Sequence, residues 1–246
     1  MDRLSILGVM IAFSALIIGN LLDGGSFYTL LNLPAALIVI GGTLGAAILQ
    51  TPKASLLRAW DILQWILKPP RPPFSVAIGQ VVGWAFAARK QGLLGLEELA
   101  EREEDPFARK GLQLLIDGTD ATHIRHVMET DLMVAEQRDF DAVQFYESMG
   151  GYAPTIGIIG AVLGLIHVLH QLAEPGQLGT GIAVAFVATI YGLAFANLLL
   201  IPIANKLRLF VKEKSQYREL LIEGLIAIAE GQNPKLIEMK LSGYLH

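Results

Sequence analysis

Four stretches of the chain contain no Asp, Glu, Lys or Arg: Leu4 to Leu22, Leu31 to Gln50, Tyr152 to Leu172 and Gly181 to Ala204. Each is about 20 residues long, and a helix of that length crosses a hydrocarbon core of about 30 Å. A helix in a soluble core rarely keeps that length without a charge, so the pattern predicts four transmembrane helices. The first run starts after Arg3, as a secretory leader would. It is longer than the apolar part of a leader, however, and Asn20 to Ser26 contains no small-x-small cleavage site, so it is read as a retained membrane helix.

Between the second and third runs the pattern turns helical and polar. Lys53 to Leu67 is amphipathic and carries Trp60 and Trp65, which suit a membrane surface. The run Lys68-Pro69-Pro70-Arg71-Pro72-Pro73 ends any helix there, as a stiff turn or as a proline-rich recognition segment. Helices are predicted over Phe74 to Gln91, Gly92 to Glu104 and Phe107 to Ile116. Asp117-Gly118-Thr119-Asp120 then reads as a helix stop followed by an N-cap. A long polar helix follows from Ala121 to Met149, with Gly150-Gly151 predicted to separate it from the third membrane run. The fourth run continues into a charged helix, Asn205 to Glu230. No strand pattern and no internal repeat stands out. The fold class is therefore an all-α integral membrane protein. Its expected parts are a hairpin over 1–50, a helical domain over 51–151, a second hairpin over 152–204 and a helical tail over 205–246.

Charge sets the expected orientation. All 19 Lys and Arg residues lie in the N-terminal stub, in 51–151 or after 204, and neither Asp23 to Leu30 nor Ala173 to Thr180 contains one. The positive-inside rule then puts both termini and the large insert in the cytoplasm. Charged residues make up only 17% of the chain, against about a quarter in soluble domains. A net charge of −4 provides no basic field for nucleic acid. The absence of cysteine excludes disulfides, thiolate metal sites and cysteine nucleophiles.

The membrane runs hold no ionisable side chain except His167 and His170. An ion pathway usually needs an intramembrane carboxylate, so either this chain conducts nothing or a partner helix supplies the acid. The two histidines share a helix face at i, i+3 spacing. They are read either as a metal or relay pair or as imidazoles reaching the interface. Small residues recur at helical spacing, Gly41 with Gly45, and Gly157, Gly160, Ala161 and Gly164, which allows close helix approach. Thr189 lies mid-run, at about the depth of Ala161. Pro154 is expected to open the third helix, and Pro202 to kink or end the fourth. In the insert, Arg89 and Lys90 precede Glu97, Glu98, Glu101, Glu103, Glu104 and Asp105, as either a solvated face or a docking surface of mixed sign. The motifs of nucleotide-binding, hydrolase and zinc-protease sites are missing, so nothing argues for an enzyme.

Three segments, together with the fourth run and its Thr189 and Pro202 thirteen apart, resemble the MotA/PomA family of flagellar stator proteins. The first is Met149-Gly-Gly-Tyr-Ala-Pro-Thr-Ile-Gly-Ile-Ile-Gly-Ala-Val-Leu-Gly-Leu-Ile-His. The second is Ala88-Arg-Lys-Gln-Gly-Leu-Leu-Gly-Leu-Glu97. The third is Leu31-Asn-Leu-Pro-Ala-Ala-Leu-Ile-Val-Ile-Gly-Gly-Thr43. The resemblance covers essentially the whole chain. It implies a homopentamer around a MotB-type partner that brings the ion-binding aspartate and a peptidoglycan anchor, with torque delivered to the rotor protein FliG. Pro154 and Pro202 match the family's coupling prolines, and Thr189 its pathway threonine. Arg89 and Glu97 match its rotor-facing charges, with Lys90, Glu98 and Glu101 as further candidates. Ala161 stands where sodium-type relatives carry a threonine. A dehydrated sodium ion needs several oxygen ligands, whereas a proton needs only a carboxylate and a water chain, so the expected ion is H+. No bound cofactor or metal is expected. The expected location is the bacterial inner membrane, in contact with lipid. The related ExbB/TolQ proteins and a non-conducting membrane scaffold are the alternatives; the four runs argue against the former.

Overall fold

The computed structural model describes residues 3–70, 72–170 and 175–245. Among these the chain is all-α, with no strand. It divides into two compact units, residues 1–69 with 138–209 and residues 70–137 with 210–246.

The first unit holds the apolar runs. Helix α1 spans Arg3–Leu22. The second run is built from α2 (Leu33–Ala36), a π-helical stretch Leu37–Gly41 and α3 (Gly42–Gln50). Asn32 caps it by accepting a hydrogen bond from the Ala35 amide at 2.8 Å, and Pro34 occupies the first turn, where its missing N–H costs nothing. The short helix α4 (Lys53–Leu63) follows. From residue 138 onward α8 (Ala121–His170) belongs to this unit, with α9 (Pro175–Ala194), a π-helical stretch Phe195–Leu200 and the first residues of α10 (Ile201–Ala229).

Three helical stretches among the described residues are long and apolar enough to cross a membrane: Leu33–Gln50, Ala121–His170 and Gly181–Ala229. The first expected span falls within α1, whose apolar stretch Ile6–Leu22 is shorter than the other three. Residues 171–174, which include the end of the third expected span and the start of the loop after it, lie outside the described residues, as does Arg71 of the proline run.

One expected break is absent, and one of the two outcomes expected at Pro202 does not occur. Gly150-Gly151 does not separate a polar helix from the third span, because α8 runs unbroken for 50 residues. Gly150 is instead a packing notch: a Cβ there would come within 2.8 Å of Ile201 Cγ1. Pro154 consequently lies inside α8 rather than opening it. Pro202 does not end its helix either, since α10 continues to Ala229. Proline has no N–H, and its ring crowds the carbonyl four residues back, here that of Leu198. The helix is widened into π-helical turns over Phe195–Leu200, immediately before this proline's turn.

The second unit is helical and packs around a core of buried apolar side chains. It contains α5 (Phe74–Gln91), a 3-10 turn Leu93–Leu96, α6 (Glu97–Arg102), α7 (Pro106–Ile116), the first part of α8, the rest of α10, and α11 (Pro234–Leu241). Val81, Leu112, Ile124, Met128, Leu225 and Ile237 are fully or almost fully buried in it. Gly111 and Gly224 admit close neighbours: a Cβ on Gly111 would fall 2.2 Å from Leu225 Cδ1, and one on Gly224 2.5 Å from Val81 Cγ1. The predicted stop and cap between α7 and α8 is present. Gly118 adopts φ +70°, and the Asp120 carboxylate accepts from the His123 amide at 3.0 Å.

Candidate functional site

In the first unit, small residues bring α8 and α9 together almost backbone to backbone. A Cβ on Gly157 would lie 3.0 Å from the Ala188 carbonyl oxygen and 3.4 Å from Thr189 Cα. A Cβ on Gly164 would lie 3.1 Å from Ala185 Cα, and one on Gly192 only 2.5 Å from the Ala153 carbonyl oxygen. Glycine is required there because side chains would force the helices apart. Gly41 and Gly45, expected as packing residues, meet no neighbour within 4 Å. The close contact falls to Gly42, against Ile156.

This register sets the relative depth of Ala161 and Thr189 within one chain. Thr189 lies beside Gly157, and Ala161 is four residues farther along α8, about 6 Å along the axis. Gly160 and Gly164, which flank Ala161, face Ala188 and Ala185. Ala161 and Thr189 are both half-buried; Pro154 is half-buried within α8, and Pro202 is exposed. His167 and His170 are exposed on the last turns of α8. No group of three or more metal-ligating side chains occurs among the described residues.

Sequence reasoning missed three features of this unit. Thr43 is fully buried in α3, and its hydroxyl has no hydrogen-bond partner among the described residues, which is costly at this depth. Tyr191 fastens α9 to the start of the second run, with its phenol donating to the Leu30 carbonyl and accepting from the Asn32 amide at 3.1 Å. Asp139, 1% exposed, receives a hydrogen bond from Arg58 Nε at 2.7 Å, and the Arg58 guanidinium lies 5.3 Å from the Trp65 ring centre. Beside this pair the Tyr146 hydroxyl donates to the Ala59 carbonyl at 2.8 Å, and burial pushes that phenol up to about 12. Periodicity marks Asp139 only as one polar residue on a polar helix. Its burial depends on which face α4 covers, which the sequence does not reveal.

In the second unit the charged motif forms a compact corner. Arg89 and Lys90 occupy the last turn of α5, and Glu97 and Glu98 the first turn of α6, each sign favoured by its helix end. Gly92, at φ +76°, makes the turn between them, and fully buried Leu96 anchors it to the core. Arg89, Lys90, Glu97, Glu98 and Glu101 are all exposed. Glu98 lies 3.6 Å from Arg102, with both side chains about four-fifths exposed, so that pair adds little stability. A more ordered cluster lies elsewhere in the unit: Glu223 accepts from Arg125 at 2.8 Å and from Lys240 at 2.5 Å. Burial pushes the Glu223 carboxyl up, but the hydrogen bonds from Lys240 and Arg125 outweigh it and hold the group below the usual carboxylate range. Neighbouring Glu219 is raised by burial and by Glu136, Glu129 and Glu223.

The profile of the MotA/TolQ/ExbB proton channel family matches residues 99–220. Over its whole length the chain is 37% identical to Motility protein A of Bacillus subtilis, covering 91% of that protein. It is 32% identical to the Chemotaxis protein PomA of Vibrio alginolyticus, again over 100% of this chain and 96% of that one. Among solved structures it is similar to a chain of the flagellar MotAB stator complex from Bacillus subtilis, with a TM-score of 0.92 and 37% identity. This likeness covers 100% of the present chain and 96% of that one. It is also similar to a chain of C. jejuni MotAB, with a TM-score of 0.95 and 30% identity over 100% of this chain and 96% of that one.

Proposed function

The chain belongs to the MotA/TolQ/ExbB proton channel family, and from that premise we infer that it is a flagellar stator subunit that, with a MotB-type partner, forms a proton channel and turns ion flow into torque on the rotor. The observation that carries this reading is the full-length likeness to the chain of a flagellar stator complex. The chain is a component of an ion channel and not an enzyme, and it is a multi-pass membrane protein. Its spans lack a carboxylate of their own, which suits a channel whose ion-binding aspartate comes from the partner.

Within this reading four spans cross the inner membrane, with both termini and residues 51–151 in the cytoplasm. Copies of the chain, five by family resemblance, surround the partner helices. Pro154, Ala161, Thr189 and Pro202 line or couple the ion path. Arg89, Lys90, Glu97, Glu98 and Glu101 face the rotor protein FliG. The ion is the proton. The apolar methyl of Ala161, with alanines of α9 beside its flanking glycines, leaves few side-chain oxygens to replace the water shell of a sodium ion.

The test is co-expression of the chain with a MotB-type partner in a bacterium lacking stators. Swimming is expected to return in sodium-free medium and to stop with a protonophore. Tethered-cell rotation that follows external sodium at constant proton-motive force would reject the proton assignment. No rotation with any ion, from a complex that inserts and assembles, would reject the stator reading.

A further inference from the structure

The first unit contains a cavity of about 530 Å³ between α1 and the stretch where the π-helical turns pass into α10. Gly8, Ala12, Leu198 and Pro202 are among its walls, and its polar side chains are Asn197 and Lys206. The Asn197 amide is already engaged, donating to the Leu193 carbonyl at 3.0 Å. The walls are otherwise apolar, so water has too few partners to fill the space. The volume lies in the range of ligand pockets. Gly8 opens into it, since a Cβ built there meets no atom within 4 Å. On the same stretch of α1, Met10 and Ile11 are each 60% exposed, as side chains that meet hydrocarbon are. Lys206 stands just past the fourth charge-free run, which ends at Ala204, so the cavity is apolar along its length and cationic at one end.

We propose that this groove binds one anionic phospholipid, with an acyl chain lying along Gly8 and Ala12 and the headgroup phosphate at Lys206. The occupant is a lipid because the groove lies among membrane-spanning helices and combines an apolar slot with a cationic end. A basic side chain beside the headgroup region favours an anionic lipid about fivefold. The bound chain packs against Pro202 and the π-helical turns, filling the space beside the widest part of the fourth span.

The test uses the complex with its MotB-type partner, extracted in mild detergent and exchanged with equal amounts of dioleoylphosphatidylglycerol and dioleoylphosphatidylcholine. Retained lipid is read by native mass spectrometry. The expected result is phosphatidylglycerol retained about fivefold over phosphatidylcholine. Gly8→Leu, which fills open space, is expected to remove the retained lipid while the complex stays assembled; Ala12→Phe gives an independent filling of the same slot. Lys206→Gln should keep lipid but lose the headgroup preference. Equal retention of both lipids by the parent complex, or unchanged retention by both filled variants, would overturn the proposal. So would disulfide formation between copies through Ala12→Cys and Leu198→Cys, which would make the groove an interface between chains. The readout is bound lipid rather than motility, so its failure is separable from failure of the stator reading.

Discussion

Arg89 and Glu97 are exposed side chains at facing helix ends, held by a turn whose anchor, Leu96, is buried. Their value lies outside the chain: exposed charges contribute only about 0–1 kcal/mol to a fold, but they steer encounters with a partner of complementary charge. Reversing either one, Arg89→Glu or Glu97→Lys, should leave expression, insertion and partner binding unchanged. Swimming in viscous medium should fall partially with each and further with both. Wild-type swimming by the double variant would reduce the motif to a solvated face. Their place at successive helix ends was legible from sequence spacing, whereas their role toward a rotor is what the family resemblance implies. Counting along two runs from their charge-free ends gives the depths of Ala161 and Thr189 only to within a turn. The offset comes from Gly157 and Gly192, which let α8 and α9 slide into backbone contact at one register. Buried Asp139 was hidden for a similar reason, since burial belongs to a pair of faces and not to a residue.

At the scale of elements, α5, α7 and the start of α8 were readable because their ends are chemically marked. A proline run precedes α5, Asp105 and Pro106 open α7, and Gly118 and Asp120 separate α7 from α8. The unbroken α8 was not readable, because glycine and proline carry the same local signal whether they end a helix or serve packing inside one. Gly150 serves Ile201, and long tertiary contact overrides its weak propensity. The widened turns before Pro202 invite a prediction. Pro202→Ala restores an N–H and removes the ring, so the stretch Phe195–Leu200 should revert toward regular α-helix. Amide exchange over those residues should slow about tenfold or more, as one regained hydrogen bond of about 1.4 kcal/mol implies. Torque should drop while the complex still assembles, if the soft turn is where ion flow becomes movement. Unchanged exchange would mean that neighbouring helices, not Pro202, impose the π geometry.

For the whole molecule, the two compact units are built by different rules. One relies on glycine faces, half-buried Tyr191 and ion pairs of Asp139 with Arg58 and of Glu147 with Arg208. The other has caps, a Leu and Ile core and a charged rim. That division follows the solvent each is expected to meet, since helices in lipid gain nothing from burying leucine and must pack by close approach. It leads to a topology prediction that rests on charge rather than on packing. The link from Asp23 to Leu30 has no basic residue, whereas the insert carries many of the 19. Basic segments resist translocation, so that link should face outward and the insert inward. The chain has no cysteine, so single cysteines report without background. Ser26 and Thr122 are both exposed, one before the short turn Phe27–Leu30 and one in the first turn of α8. In intact spheroplasts an impermeant maleimide should label Ser26→Cys and leave Thr122→Cys unlabelled until the membrane is opened. Labelling of position 122 from outside would invert the protein, carry Arg89 and Glu97 away from any cytoplasmic rotor, and remove the physical basis for torque.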